Sequence, residues 1–190
     1  MKNLQTMNFG AQQPQIQFPS QTRCLLLVNE RKEERKAMDM EGNESEEIIT
    51  SYDYDGTFLD VAAPTEAAVL EAVKATVLKE IEQHDTSEAV NSFTLGGKEM
   101  WLPKETRVGL VNSVTIEKNA GKETTTLWFD GAKYELPVDT ALQMLAALEL
   151  YALECYNVTA AHKAAVSALE SVEDIVAYDY TQNYPEKLNF

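Results

Sequence analysis

The feature that most constrains this fold is an apolar run near the C-terminal end, ALQMLAALELYALECY, from Ala141 to Tyr156. Only three polar residues interrupt it. A surface helix carries one apolar stripe, whereas here apolar residues occupy most of the helix circumference. The run therefore predicts a central buried helix, over about residues 139–156, that neighbouring elements cover on more than one side.

A membrane-spanning helix is the competing interpretation of this run, and three features argue against it. The run is shorter than the roughly 20 residues that a bilayer requires, it carries two carboxylates, and it lacks basic flanking residues. The N-terminal residues also lack the apolar stretch of a secretion signal. We therefore expect no membrane partner and a protein that stays in a cytoplasm, or in a particle assembled there.

The charge of the chain argues against nucleic acid as a partner. Its 31 acidic and 16 basic residues give a formal net charge of −15. Binding to phosphates draws on clustered lysine and arginine, which such an excess of acid does not favour. We therefore expect protein partners.

The residue types that most often carry catalysis or bind metals are few and scattered. His84 and His162 are the two histidines, and Cys24 and Cys155 are the two cysteines. No spacing among them matches a zinc site, a redox pair or a nucleophile motif, and we expect both thiols to be buried. The sequence thus predicts no enzyme activity, catalytic residue, cofactor or metal ligand.

Two short motifs resemble ligand loops but have the wrong spacing. The segment Asp53 to Gly56 lacks the calcium-loop pattern, in which glycine follows at position six and a glutamate at position twelve. Gly96-Gly97-Lys98 lacks the upstream glycine and the following serine or threonine of a phosphate loop. We interpret the second motif as a hairpin turn.

Residues 1–22 are rich in Gln, Asn and Pro and show neither helical nor strand periodicity, so they predict an extended N-terminal arm. Such a segment is either disordered or ordered only where a partner supplies contacts, because ordering its backbone costs about 1–2 kcal/mol per residue. Its apolar residues Phe9, Ile16 and Phe18 are candidate partner-binding residues. We expect the arm to dock along a neighbouring subunit or another protein of an assembly.

Residues 23–62 predict a small β-hairpin unit. An apolar run from Cys24 to Val28 leads into charged residues, and Glu47 to Asp60 follows with alternating side chains. A turn at Glu41-Gly42-Asn43 joins the two segments into one long hairpin. The alternative is that the charged stretch from Glu30 to Lys36 continues as a helix.

Residues 63–190 predict an α+β domain built around the central helix. Two β-hairpins, over Phe93 to Leu102 and Thr125 to Leu136, follow from the turn signals Gly96-Gly97 and Asp130-Gly131. The flanking helices have recognisable start signals, which lie at Thr65, Pro103, Thr159 and Ser171.

Each predicted hairpin carries one tryptophan. In the first hairpin the register places Phe93, Leu95, Met100 and Leu102 on one face, so that Trp101 lies on the other. Trp101 is then either covered by a helix or exposed for a partner. We name Trp101, and Trp128 of the second hairpin, as candidate partner-binding residues.

The C-terminal tail from Tyr178 to Phe190 is rich in aromatic residues, of which Tyr180 and Tyr184 are further candidates for partner binding. Arg107 and Asp179 stand among aromatic residues, where an isolated charge is costly. We expect these two residues to form a structural pair, or to anchor the tail by hydrogen bonds.

Four pieces of sequence between residues 85 and 190 form a recognisable set. They are Met100-Trp101-Leu102 followed by Arg107, then Leu127-Trp128, then Glu149 to Thr159, and finally Tyr178-Asp179 before Tyr184-Pro185. With them, this part of the chain resembles a domain of unknown function found in bacteriophage tail-fibre and tail-fibre-assembly proteins and in related prophage proteins of gut Bacteroides-type hosts.

The resemblance implies a bacteriophage virion protein, associated with the tail or its fibres and made in the cytoplasm of the host bacterium. Its implied partners are other virion proteins or neighbouring copies of the same chain, so a homo-oligomer or a larger assembly is expected. The alternative within the same resemblance is an assembly chaperone for a tail fibre, which does not remain in the particle. The resemblance supplies no catalytic residue.

Overall fold

A computed structural model describes residues 1–38 and 44–190, and it has the predicted α+β class, with helices and antiparallel sheets. These residues fall into two compact units. Unit 1 comprises Met1–Glu80 and Val166–Tyr178, and unit 2 comprises Ile81–Ala165 and Asp179–Phe190. The boundaries expected from the sequence, after residues 22 and 62, do not coincide with them.

Unit 1 contains a four-stranded antiparallel sheet in the order β1-β4-β3-β2. Its strands are β1 (Gln5–Phe9), β2 (Ile16–Ser20), β3 (Arg23–Met38) and β4 (Glu44–Asp60). The helices of the chain are α1 (Glu66–Asp85), α2 (Glu88–Asn91), α3 (Lys104–Asn119), α4 (Val138–Ala168) and α5 (Val172–Ala177). Ser171 caps α5 as predicted, because its hydroxyl accepts a hydrogen bond from the backbone N–H of Asp174.

The long hairpin predicted over residues 23–62 is confirmed. β3 and β4 pair along most of their length, from Arg23 opposite Asp60 to Met38 opposite Glu44. The charged stretch from Glu30 to Lys36 is therefore a strand, because pairing with β4 satisfies its backbone groups. The predicted turn at residues 41–43 lies outside the described residues.

The predicted N-terminal arm is instead part of this sheet. β1 pairs antiparallel with β4, and β2 pairs antiparallel with β3. The first residues are also bound, since the Met1 amino group donates to the Val176 carbonyl at 3.0 Å and the Lys2 backbone N–H donates to the Glu80 carboxylate at 3.0 Å. The outer edges of β3 and β4 supply the hydrogen-bond partners that an isolated segment of this composition lacks.

Gly56 lets the side chains of neighbouring strands close over the sheet. A Cβ at this position would lie 2.7 Å from Leu27 Cδ2 and 2.9 Å from Met7 Sδ. A side chain at this position would force both of these side chains to move. The glycine therefore allows Met7 of β1 and Leu27 of β3 to fill the space above β4.

Unit 2 contains the two hairpins that the sequence predicted. Their strands are β5 (Phe93–Leu95), β6 (Lys98–Met100), β7 (Thr124–Phe129) and β8 (Ala132–Pro137). The register of the first hairpin, with Phe93 opposite Met100, is the predicted one. The expected apolar face is buried in the core of this unit, where its members are Phe93, Leu95, Met100 and Leu102.

Helix α4 is one continuous helix of 31 residues, so the predicted new start at Thr159 is wrong. Thr159 is buried and its hydroxyl donates to Asp85 Oδ1 at 2.7 Å, which satisfies the group without a helix break. The sequence also predicted that neighbouring elements cover this helix on more than one side, but the part of α4 in unit 2 is buried on one side only. The buried positions within unit 2 recur three or four residues apart, whereas Leu150 and Leu153 of the same helix are 64% and 55% exposed.

Candidate interaction surfaces

The first candidate surface is the outer part of the β3–β4 hairpin, residues 30–38 and 44–51, which we call the ribbon. The register of β2 on β3 extends only to Leu26, and that of β1 on β4 begins only at Tyr52. Among the described residues the two strands of the ribbon therefore pair only with each other. A two-stranded hairpin alone is at best marginally stable in water, and unpaired strand edges are sites where another chain adds.

A bulge separates the ribbon from the rest of the sheet. The β3–β4 register shifts between Val28 and Arg31, and Asn29 adopts a φ of 55°. Asp55 fixes this bulge by accepting hydrogen bonds from the Arg31 guanidinium at 2.8 and 3.1 Å and from the Asn29 amide at 2.9 Å. These hydrogen bonds lower the pKa of the Asp55 carboxyl, and the bond from Arg31 has the largest effect. A carboxylate of the motif that resembled a calcium loop thus has a structural role.

The ribbon exposes apolar side chains between charged ones. Met38 is 73% exposed, Ile48 is 61% exposed and Ile49 is 40% exposed. Ile48 and Ile49 lie on opposite faces of β4 because successive residues alternate along a strand. Charged neighbours pair across the strands, as Lys36 Nζ does with Glu44 Oε2 at 3.0 Å. Exposed β-branched residues on an open strand edge indicate a surface that another protein covers.

The second candidate surface is a groove of about 690 Å³ in unit 2. Its apolar side includes Trp101, Leu153 and Tyr156, which are 38%, 55% and 65% exposed. Its polar lining includes Asp85 and Lys104. A groove that combines apolar walls with a few polar groups has the character of a binding site for a peptide segment or a small molecule.

Arg107 lies in this groove and is only 8% exposed. Its Nε donates to Glu149 Oε1 at 2.9 Å, and its Nη1 donates to the Leu102 carbonyl at 2.8 Å. Arg107 therefore ties α3 to α4 and to the end of the first hairpin. The predicted pair of Arg107 with Asp179 is wrong, because the carboxylate partner of Arg107 is Glu149.

The predicted alternative, hydrogen-bonded anchoring of the C-terminal tail, holds for Asp179. Its carboxylate accepts from the Thr181 backbone N–H at 2.9 Å and from the Gln182 side-chain amide at 2.9 Å. These bonds close a turn at the start of the tail. Further along, the tail adds a backbone pairing to the first hairpin, where the Thr94 N–H donates to the Leu188 carbonyl at 2.9 Å.

The tail places Tyr184 between the two histidines of the chain. Its ring centroid lies 5.2 Å from that of His84 and 5.7 Å from that of His162. Its hydroxyl lies 2.9 Å from the Thr159 hydroxyl, and burial raises the pKa of the Tyr184 phenol. The His162 Nε2 lies 2.9 Å from the Gln182 carbonyl, so this nitrogen carries the proton and donates. The cluster is a packed anchor for the tail.

The Cys155 thiol and the Glu99 carboxylate of unit 2 have internal partners. Burial raises the pKa of the Cys155 thiol, which disfavours the reactive thiolate. In a smaller groove of about 400 Å³, Glu99 is hydrogen-bonded to Lys187 and Ser92 at 2.7 and 2.6 Å. In the part of the chain that the structure describes, no group of three or more His, Cys, Asp or Glu residues is arranged to hold a metal ion.

The seven residues named from sequence as partner-binding candidates differ widely in exposure. Trp128, Trp101 and Phe18 are 65%, 38% and 36% exposed. Phe9 and Ile16 lie half-buried in β1 and β2, where the ring of Phe9 packs 5.8 Å from that of Tyr54. Tyr184 is half-buried and Tyr180 is 2% exposed, so the latter contributes packing.

Sequence reasoning did not find the exposed residues of the ribbon or of α4. The signal for the ribbon was present as two isoleucines within an acidic strand, at positions 48 and 49. For α4 the apolar run contained no sign of which Leu and Tyr residues would remain uncovered. In the described ranges, no helix is both long enough and apolar enough to cross a membrane.

In comparisons with known proteins, no protein-family model, curated protein or solved structure matches the chain.

Proposed function

We propose that this protein is a structural component of a bacteriophage particle, associated with the tail or its fibres, and that it acts by binding other proteins during assembly. In this proposal the chain is made in the cytoplasm of the host bacterium and remains in the virion. The resemblance of residues 85–190 to a domain of unknown function found in tail-fibre and tail-fibre-assembly proteins supports the setting. The exposed surfaces of both units support the mode of action.

The observation that carries the proposal is the ribbon. Each of its strands has one partner and one open edge, and two of its isoleucines face water. Such an element costs conformational entropy to order and buries little apolar area to offset that cost. A neighbouring chain that pairs with an open edge supplies the missing hydrogen bonds and covers the isoleucines, which is how β-strand addition joins proteins.

The state of the polar groups also favours binding over catalysis. The buried Arg107 is paired with Glu149, and the Cys155 thiol is kept protonated by burial. Asp55 and Glu99 are likewise engaged by neighbouring side chains.

An assembly chaperone for a tail fibre is a second candidate function, and the groove of unit 2 favours it. Trp101, Leu153 and Tyr156 form an exposed apolar surface beside a concave site large enough for several side chains of a client. A chaperone uses such a surface transiently. A virion protein would keep it covered in the mature particle.

Protein quantification in purified particles tests the proposal and separates the two functions. Particles from the producing strain are purified by density gradient, and the chain is measured by mass spectrometry relative to a known virion protein. The proposal predicts a fixed, reproducible number of copies per particle. Presence in the lysate together with loss from gradient-purified particles would support the chaperone and contradict the virion role.

A further inference from the structure

We propose that the ribbon binds the ribbon of a second copy of this chain, through the outer edge of β4, with a twofold axis at Ile48. This inference rests on the proposed function in treating the ribbon as the assembly surface, and it names the partner. The two sheets would then continue into each other across the axis.

The open edge of β4 has the length that such a pairing needs. β1 covers the same edge from residue 52 onward, and the described part of the strand begins at Glu44. A symmetric pairing centred on Ile48 uses residues 45–51 of each copy. This is the length of an ordinary strand in a globular protein.

Twofold pairing imposes a condition on the sequence. Successive residues point their backbone groups to opposite edges of a strand, so two identical antiparallel strands can pair symmetrically only with one residue directly opposite itself. The residue at the axis must therefore tolerate its own copy as a neighbour. Like charges directly opposite each other destabilise a sheet.

From Glu30 to Lys36 the outer edge of β3 fails this condition. Every residue from Glu30 to Lys36 is charged, in the order acid, base, base, acid, acid, base, base. Wherever a twofold axis falls within this stretch, a charge meets its own copy. Charged residues of this kind are what natural proteins use to keep an exposed edge from pairing with itself.

The outer edge of β4 meets the condition at Ile48. This residue is 61% exposed and would lie opposite its own copy, a pairing of β-branched side chains that suits a sheet. On either side, Glu47 lies opposite Ile49, Glu46 opposite Thr50, and Ser45 opposite Ser51. No acidic residue faces another acidic residue in this register. The charge pattern therefore favours the β4 edge over Glu30 to Lys36 of β3 for pairing with a second copy.

Sedimentation velocity of the full chain over a range of concentrations tests the association. We expect a reversible dimer for the native chain, and for I48K a dissociation constant raised by about tenfold or more, because a base then meets its copy at the axis and an apolar contact is lost. The matched control is I116K, since Ile116 in α3 is exposed to a similar extent, at 68%. Circular dichroism verifies that both variants remain folded.

Cysteine cross-linking tests the register without disrupting the surface. In the proposed register an S45C chain mixed with an S51C chain gives a disulfide-linked heterodimer, because directly opposed residues have the Cα spacing that a disulfide requires. Either variant alone gives no cross-link, since each cysteine is then about 20 Å from its copy. The native Cys24 and Cys155 are buried, so we expect them to form no cross-link in this assay.

The outcomes distinguish this inference from the proposed function. Three results would overturn the twofold pairing: a monomer at all concentrations, a cross-link in S45C alone, or a series of species larger than a dimer. Species larger than a dimer would indicate that β3 of one copy adds to β4 of the next, head to tail. If the chain is nevertheless present in purified particles, the virion function stands with a different partner. A confirmed dimer that is absent from particles leaves the pairing intact and removes the virion role.

Discussion

Replacing Leu145 by alanine should destabilise this protein strongly, whereas the same change at Leu150, one and a half turns further along α4, should have little effect. Leu145 is 0% exposed within the core of unit 2, and Leu150 is 64% exposed. The two substitutions remove the same atoms from the same helix. Their difference therefore measures burial, with helix propensity cancelled.

The magnitudes follow from the two environments. Truncation of a fully buried leucine costs about 2–5 kcal/mol, because the lost contacts leave a cavity that relaxes only in part. At Leu150 only about a third of the side chain is shielded, so the loss is roughly 0.5 kcal/mol, and the higher helix propensity of alanine offsets part of it. For a chain of this size, 1 kcal/mol corresponds to about 2–4 °C in the melting temperature. We expect L145A to melt about 4–20 °C lower and L150A within about 2 °C of the native chain.

Tryptophan fluorescence during urea or thermal unfolding is the appropriate assay. Trp101 and Trp128 both lie in unit 2, so the signal follows the unit that contains the substituted helix segment. Circular dichroism provides a second probe, and coincident transitions would justify a two-state analysis. Equal losses of stability in L145A and L150A would refute the one-sided burial of α4, and negligible losses in both would remove this helix from the core.

Three further predictions concern the ion pair and the two ends of the chain. R107M should lower the free energy of unfolding by about 1–3 kcal/mol, since it leaves the Leu102 carbonyl without its donor; a native denaturation midpoint would show that the pair contributes nothing. Ending the chain at Tyr178 should lower the melting temperature because the buried Tyr180 is lost, and an unchanged melting curve would make the tail dispensable. Deleting residues 1–21 should give a protein that aggregates in light scattering, because β1 and β2 no longer cover the sheet; a soluble, monodisperse product would restore the interpretation of this segment as a separate arm.

The local elements of unit 2 were predictable from the sequence because their signals are local. Gly96-Gly97 and Asp130-Gly131 fix two-residue turns, and the turn then determines the register of each hairpin. The residues buried from the first hairpin followed directly from that register. Ser171 of unit 1 was recognisable as a cap for the same reason, since the bond it makes is to a residue three positions away.

The strands of residues 1–22 were not predictable because what orders them lies elsewhere in the chain. Gln5 pairs with Gly56, and Ile16 pairs with Leu26 on a different strand. A segment rich in Gln and Asn has no alternation to reveal a half-buried strand. Pairing with β3 and β4 therefore makes these residues strands, although their own sequence has little preference for that structure.

The candidate surfaces were only partly predictable, for a related reason. The sequence identifies Trp101 and Trp128 as large apolar residues, and their exposure depends on whether a neighbouring element covers them. The exposed Leu and Tyr residues of α4 could not be told from buried ones, because leucine favours helices whether or not it is buried. The ribbon could be identified only from the structure, which shows where β1 ends along β4 and where β2 ends along β3.

We propose that this protein enters a phage particle through the edge of its ribbon, and incorporation of matched variants tests this proposal most directly. The native chain, I48K and I116K are produced in cells that assemble the particle, and each is quantified by mass spectrometry in purified particles relative to the lysate. The account predicts equal incorporation of the native chain and I116K, and at least about a tenfold loss for I48K. Equal incorporation of all three, or the absence of all three from particles, would contradict it.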